Sequence, residues 1–286
     1  MNIVTSLARS YLTLARPIRR RGFRTFMRAA TALFPAQAAE VAQTRLDRGQ
    51  VFTFPVGDAY WQYYVLTGID YESELTLFIE RLQEKPVLFL DCGANFGYWS
   101  VKLSVDMPCV AVEPSTETGA ILERNRAAND NRFTVVKKAV SDGSSDYVSF
   151  TMGADHAGRT ISADPGAVTE RVPATSIDAL VRDHAPAEGL ILIKLDVEGA
   201  EIAAITGAAQ TMQRACAFLY EDHGNDMTCA PTAHLLGLGK RVYAMDDDGR
   251  LVRITSVEEA RALKKNPHVG YNFMALGDAT SEPRLG

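Results

Sequence analysis

From residue 87 onward the chain alternates short apolar runs with stretches whose apolar positions recur every three or four residues. The runs cover 87–90, 109–112, 133–136, 190–195, 217–220, 242–245 and 271–276. Most are continuous blocks of apolar residues, the pattern of strands buried on both faces in a parallel sheet covered by helices. Helical spacing fills most of the gaps, over 97–105, 116–129, 199–213, 231–238 and 257–264. This order predicts an α/β fold built on a doubly wound, mostly parallel sheet. The gap from 141 to 183 is longer and mixed. Within it, 147–152 alternates like a strand and 175–181 has the spacing of a short helix.

Two segments precede the alternating part. Val51, Phe52, Thr53, Phe54 and Pro55 read as a short strand, and 72–82 as a helix stopped by Pro86. Further upstream, Arg9, Arg16, Arg19, Arg20, Arg21, Arg24 and Arg28 occur with no acidic residue before Glu40. Ile3, Leu7, Tyr11 and Leu14 are interleaved at helical spacing, followed by Phe23, Phe26, Met27, Leu33 and Phe34, with Pro17 between two short helices. The division predicted is a basic amphipathic helical extension, 1–49, ahead of one domain, 50–286. Three roles suit such an arm: packing against the domain with its arginines in water, peripheral contact with an anionic membrane surface, or holding a partner or acidic polymer.

Composition narrows the field. Of 286 residues, 47% are hydrophobic and 23% charged, which allows a sizeable core. A net charge of -5 argues against a domain devoted to gripping nucleic acid. Cys92, Cys109, Cys216 and Cys229 form no CxxC pair and lie mostly in apolar runs. They read as reduced core thiols, which makes a cytoplasmic location the expectation. No stretch approaches the ~20 apolar residues of a spanning helix, and the first residues lack a secretory signal's apolar core.

The chemistry gathers at the ends of the apolar runs. Leu88, Phe89 and Leu90 lead straight into Asp91-Cys92-Gly93-Ala94-Asn95-Phe96-Gly97 and then a helix. Ligands of doubly wound sheets sit at the carboxyl ends of the strands. Gly93 and Gly97 let backbone approach a ligand, and Asn95 tolerates a left-handed conformation. Asp91 suits a cationic or amino-bearing ligand better than a diphosphate. The string is neither GxGxxG nor GxxxxGK[ST], which disfavours a nicotinamide-dependent oxidoreductase; a tight turn with no ligand is the plain alternative. Glu113 closes the second run, where an acid can accept from both ribose hydroxyls of an adenosine ligand. After the third run, Ser141 or Asp142 can bond an adenine edge, although Asp142-Gly143 is equally a simple turn. The fourth run ends in Lys194-Leu195-Asp196-Val197-Glu198-Gly199-Ala200-Glu201, and the fifth in Glu221-Asp222-His223. Such charge at the end of an apolar strand can steer a hydroxyl, take its proton or hold a divalent ion. His156, His184, His234 and His268 have no such neighbourhood and read as surface or structural residues.

In this order and spacing, with Thr175-Ser176-Ile177-Asp178-Ala179-Leu180 and Gly207, the chain resembles the FkbM-type family of S-adenosylmethionine (SAM)-dependent methyltransferases over about residues 85–225. The 194–201 string is the specific part; the first loop is common to many methyltransferases. The resemblance implies a class I methyltransferase-like Rossmann fold whose seven-stranded sheet ends in an antiparallel strand. It further implies SAM as methyl donor and O-methylation of a hydroxyl on a sugar, glycan or other secondary metabolite. Asp91, Gly93, Ala94, Asn95 and Gly97 would then surround the methionine part, Glu113 the ribose, and Ser141 and Asp142 the adenine. Asp196 and Glu198 would border the methyl group and acceptor, with His223 or Asp196 as base. Part of the acceptor pocket is expected in 141–189. Asp196, Glu198 and Glu221 offer oxygens that magnesium accepts, but nothing requires a metal and none is assigned. Two other readings stay open: a non-catalytic SAM-binding or membrane-associated scaffold, and the oxidoreductase. A nucleic-acid methyltransferase is disfavoured by charge and by the lack of an Asn-Pro-Pro-Tyr-type motif.

Overall fold

The computed structural model describes residues 2–14, 22–151, 169–246 and 248–284. Arg16, Pro17, Arg19, Arg20 and Arg21 lie outside them, as does His156. The chain opens with α1 (Ile3–Leu14), α2 (Phe23–Leu33) and α3 (Pro35–Ala38), then β1 (Val41–Arg45), β2 (Val51–Pro55), α4 (Ala59–Thr67) and α5 (Ser73–Arg81). Val4, Ala8 and Leu12 recur every four residues and bury one stripe of α1; Phe23, Met27 and Ala30 do the same for α2. Both stripes close on Val56 and on Ala59, Tyr63 and Leu66 of α4. The apolar face of the N-terminal helices is therefore covered by the rest of the chain, while Arg9, Arg24 and Arg28 are exposed. β1 and β2 form an antiparallel hairpin, so position 49/50, the boundary drawn from sequence, falls in its turn.

The second part runs β3 (Leu88–Cys92), α6 (Tyr98–Leu103), β4 (Cys109–Val112), α7 (Thr116–Ala128), β5 (Phe133–Val136), β6 (Ala139–Val140), β7 (Tyr147–Thr151) and β8 (Thr169–Thr175). It continues with α8 (Ile177–His184), β9 (Ile191–Leu195), α9 (Glu201–Thr206), β10 (Cys216–His223), α10 (Ala230–Gly237), β11 (Arg241–Met245), β12 (Leu251–Ile254), α11 (Val257–Leu263) and β13 (Gly270–Leu276). The main sheet has the order β12-β11-β13-β10-β9-β3-β4-β5. β5, β4, β3, β9 and β10 are parallel neighbours, and β13 enters antiparallel between β10 and β11. Those seven strands are the arrangement expected; β12, hairpinned onto β11, adds an eighth at the edge. The mixed 141–183 region contributes to a small separate sheet, β6-β8-β7. The long helix read over 199–213 divides into α9 and a 3₁₀ turn at Thr211–Gln213.

Alternation along the strands sorts the core into two layers. Leu90, Cys92, Ile193, Leu195, Phe218 and Tyr220 face one way with α8 and α10. Phe89, Leu192, Ala217, Leu219 and Met274 face the other way with Leu75 and Phe78 of α5 and Trp99 of α6. Continued to the carboxyl ends, the second face reaches Asp91, Lys194 and Glu221, with Asp91 opposite Lys194 and Glu221 opposite Asn272 in register. An apolar face thus ends in a charged layer, and α5 lies across it: Glu74 Oε1 accepts from Asn272 Nδ2 at 2.7 Å.

The hairpin is fastened to the domain by two asparagines one turn apart, one on α7 and one capping its C-terminus. Asn125, fully buried, accepts from Thr53 N–H at 2.7 Å and donates to the Thr53 and Phe96 carbonyls at 2.8 and 2.7 Å. Asn129 exchanges the same pair of bonds with Val51. Their amides satisfy the edge of β2 as a neighbouring strand would.

Candidate functional site

The sheet order reverses between β3 and β9, the position at which open α/β sheets hold their ligands. A cavity of about 450 Å³ lies at these strand ends. One wall is the loop after β3. Gly93 sits at φ 81° and a Cβ there would lie 1.8 Å from the Asp196 carbonyl oxygen, so glycine is required by both conformation and space. Asn95 adopts φ 52° and its side chain accepts from Phe96 N–H at 2.7 Å. Asp91, Gly93, Ala94 and Asn95 all border the cavity. Asp91 also ties β3 to α6, its Oδ2 accepting from Ser100 N–H at 3.0 Å and Ser100 O–H at 2.7 Å. Burial raises its pKa, opposed by Lys194 and by those two bonds. Gly97 lies behind the wall, where it starts α6 at φ 84° and leaves room for Leu122.

Glu113 follows β4 into the same cavity. Its carboxylate is held by two backbone donors, Asn95 N–H at 3.0 Å and Ser115 N–H at 2.9 Å. Beyond β5 the cavity meets Lys138, Ala139 and Val140 rather than Ser141 and Asp142. Ser141 is buried next to Gly207, where a Cβ would come 2.3 Å from its carbonyl oxygen. The Asp142 carboxylate closes its own turn by accepting from Ser144 N–H and O–H. The cavity thus runs along 138–140, ahead of the Ser141 and Asp142 side chains that the adenine edge was expected to meet. Among the described residues, nothing in 141–151 or 169–189 lines the cavity.

The wall that sequence reasoning missed comes from before β3. Tyr60, Trp61, Tyr64 and Tyr71 tile it and meet Tyr98 of α6, Trp61 stacking on Tyr98 with ring centres 5.3 Å apart and Tyr71 standing edge-on to Tyr98 at 5.1 Å. Among the described residues, Trp61 Nε1 is buried with no hydrogen-bond partner. Glu72, at φ 47° just ahead of α5, accepts from the Trp99 indole at 2.6 Å. His268, read as a surface residue, lies at the cavity too.

Beside the Gly93 loop, the charged layer lines the cavity. Lys194, 5% exposed, donates to Asp196 Oδ2 at 2.8 Å and stands 3.8 Å from Glu72 Oε2. Burial alone would lower its pKa, but Asp196, Glu72 and Asp91 hold it above the ordinary lysine value. Burial pushes Glu72 up to about 7, against the pull of Lys194. Glu198, in a left-handed conformation at φ 51°, is pushed up to about 8 by burial and by the Asp196 and Glu221 charges. Strained residues of this kind collect at functional sites. His223 sits beyond Glu221, its Nδ1 3.3 Å from Glu221 Oε1 and its Nε2 3.9 Å from Glu198 Oε2. The bond to Glu221 outweighs partial burial and draws its pKa up to about 9. That shift makes the imidazole a poorer proton acceptor at neutral pH and weighs against the base role expected of His223. Carboxylates raised towards neutrality, Glu72 and Glu198, fit it better. Among the described residues, Glu72, Asp196 and Glu221 bring one ligand atom each within 4.8 Å of one another; Glu198, expected in such a group, is not part of it.

All four cysteines are free and buried, in keeping with core thiols, and among the described residues no helix is long and apolar enough to cross a membrane. No curated protein matches the chain. Similar solved structures include a precorrin-6y C5,15-methyltransferase from Geobacter metallireducens, 11% identical over 72% of this chain and 89% of that one, with a TM-score of 0.41. A TehB-like SAM-dependent methyltransferase from Corynebacterium glutamicum is 11% identical over 78% of this chain and 95% of its own, TM-score 0.39. P. horikoshii TYW2 in complex with MeSAdo is 10% identical over 88% and 81%, TM-score 0.39. The model of the methyltransferase FkbM domain matches residues 91–243, more than half of the chain. That span takes in the Gly93 loop, Glu113 and the 194–201 string, and the chain belongs to the FkbM methyltransferase domain family.

Proposed function

We propose that the protein transfers a methyl group from SAM to a hydroxyl of a small-molecule or glycan acceptor. The observation that carries this reading is the pairing, in one cavity, of a glycine-turn loop and a buried acid with a cluster of carboxylates. Gly93 and Glu113 line it together with Glu72, Asp196 and Glu198. When bound, SAM supplies a methyl group on a positively charged sulfur. The donor set suits such a ligand: the Gly93 turn keeps backbone clear of any Cβ, and Glu113 offers a carboxylate already oriented by two N–H groups. Asp91 and Asp196 add negative charge next to a cationic centre.

The acceptor side is the aromatic wall. Tyr60, Tyr64 and Tyr71 present ring faces and edges on which a sugar or other ring can lie, and the unpartnered Trp61 N–H is a donor left over for a bound molecule. Proton removal from the acceptor hydroxyl falls to Glu72 or Glu198, and such a base typically contributes ~10²–10⁴ in rate. Holding hydroxyl and methyl donor in line contributes more, up to ~7–11 kcal/mol. Transfer of radiolabel from [methyl-³H]SAM to members of a panel of glycosides and hydroxylated small molecules tests the reading. Labelled product that disappears in Glu113→Ala supports it. Binding of SAM with no transfer to any member would favour the non-catalytic alternative.

A further inference from the structure

Three carboxylates gathered within 4.8 Å of one another could hold a divalent ion. Here each already has a donor from the protein. Glu72 Oε2 receives the Trp99 indole N–H at 2.6 Å, Asp196 Oδ2 the Lys194 ammonium at 2.8 Å, and Glu221 Oε1 faces His223 Nδ1 at 3.3 Å. Lys194 is the central one. It projects from β9, between β3 and β10 in the sheet, and its side chain is only 6% exposed. Its ammonium lies 3.8 Å from Glu72 as well as touching Asp196. A lysine so deep in an apolar strand is costly unless it is paired, and the carboxylates could not be packed together in charged form without a cation between them.

We propose that Lys194 is the resident cation of this cluster. It stands in for a divalent ion, so the carboxylates keep their places and charge without any metal. Lys194 is thus a positioning residue: it sets Asp196 and Glu72 for their work and leaves the cluster closed to magnesium or manganese. The assignment rests on the methyl-transfer reading only for what the carboxylates do, since cation occupancy can be measured without SAM or acceptor.

The test uses Mn²⁺ alone as probe, with the full-length chain, followed by electron paramagnetic resonance and by the melting temperature. Wild type is expected to show no saturable Mn²⁺ site and no Mn²⁺-dependent rise in melting temperature. Lys194→Met is expected to bind Mn²⁺ roughly 10-fold or more tightly than wild type, because the repelling charge is gone and the ammonium position is vacated. Adding Glu72→Gln to Lys194→Met should remove that binding, and Lys194→Arg should behave as wild type. Saturable binding of Mn²⁺ to wild type that Glu72→Gln abolishes would overturn the proposal, as would a folded Lys194→Met with no gain. Should Lys194→Met fail to fold, the comparison of wild type with Glu72→Gln decides alone. Calorimetry of wild type with SAM is run in parallel: failure to bind SAM would sink the methyl-transfer reading and leave the cation assignment standing.

Discussion

Glu198 shows how the site strains against stability. Its carboxyl is pushed up to about 8 by burial, then by Asp196 and Glu221, so charging it is less favourable in the folded chain than in the unfolded one. The stability associated with this group is fully present below about 4.5 and lost as pH rises through about 8. Glu198→Gln should therefore melt close to wild type at pH 5 and roughly 2–4 °C higher at pH 9. Equal melting temperatures at both values would mean that Glu198 is not under that repulsion. Residues legible from sequence were those whose meaning is local. Asp91, Gly93, Asn95, Glu113 and Asp196 each stand at the end of an apolar run, where chain direction and the sheet rule place them. Glu72 gave no such signal: a glutamate at the head of a helical stretch usually faces water. Only the docking of α5 across the sheet end brings it to Lys194. Ser141 and Asp142 stay off the cavity for a related reason. The chain turns into β6 and the small sheet before they are reached, so the residues just ahead of them meet the cavity.

Helix α7 carries more of the architecture than its apolar pattern suggests. Asn125 and Asn129 occupy positions where core residues are expected, yet they serve the β2 edge and the Phe96 carbonyl. Asn125→Ala removes three buried hydrogen bonds, two of them to the Thr53 backbone and one to the Phe96 carbonyl. It should cost about 2–4 kcal/mol, read as a lower denaturation midpoint, with β2 amides exchanging faster than those of β3. A loss under about 0.5 kcal/mol would show that the hairpin is held by Phe52 and Phe54 packing instead. Strands of the main sheet were legible because burial on both faces leaves continuous apolar runs, and 109–112 and 133–136 agree with β4 and β5. α4 was not, because Ala-Tyr-Trp-Gln-Tyr-Tyr-Val-Leu is apolar all round and gives no 3.6-residue period. One side of that helix meets α1 and α2 and the other the cavity. β1 and β12 are short and mixed in burial, and β8 alternates exposed and buried positions over 171–174, so they lack a continuous apolar run of their own.

Across the molecule, the N-terminal helices, α4 and the cavity form one continuous stack. Val4, Ala8, Met27 and Ala30 bury Val56, Tyr63 and Leu66, and the far side of α4 presents Tyr60, Trp61 and Tyr64 to the site. Removing residues 1–33 should bare that apolar surface. The truncated chain is expected to melt several degrees lower and to bind a hydrophobic dye that the full chain ignores. An unchanged melting curve would show that the extension is independent of the domain. The doubly wound order itself was readable from the alternation of runs and helices. The site's aromatic half was not, since it depends on which surface of the sheet the first 85 residues settle on.

The most direct examination is isothermal titration of the purified full-length chain with SAM and with its demethylated product. Saturable binding of both is expected, weakened roughly 10-fold or more in Glu113→Ala through the loss of a charged acceptor of hydrogen bonds. A wild-type chain that takes up neither ligand, or a Glu113→Ala variant that binds SAM as tightly as wild type, would contradict this account of the cavity.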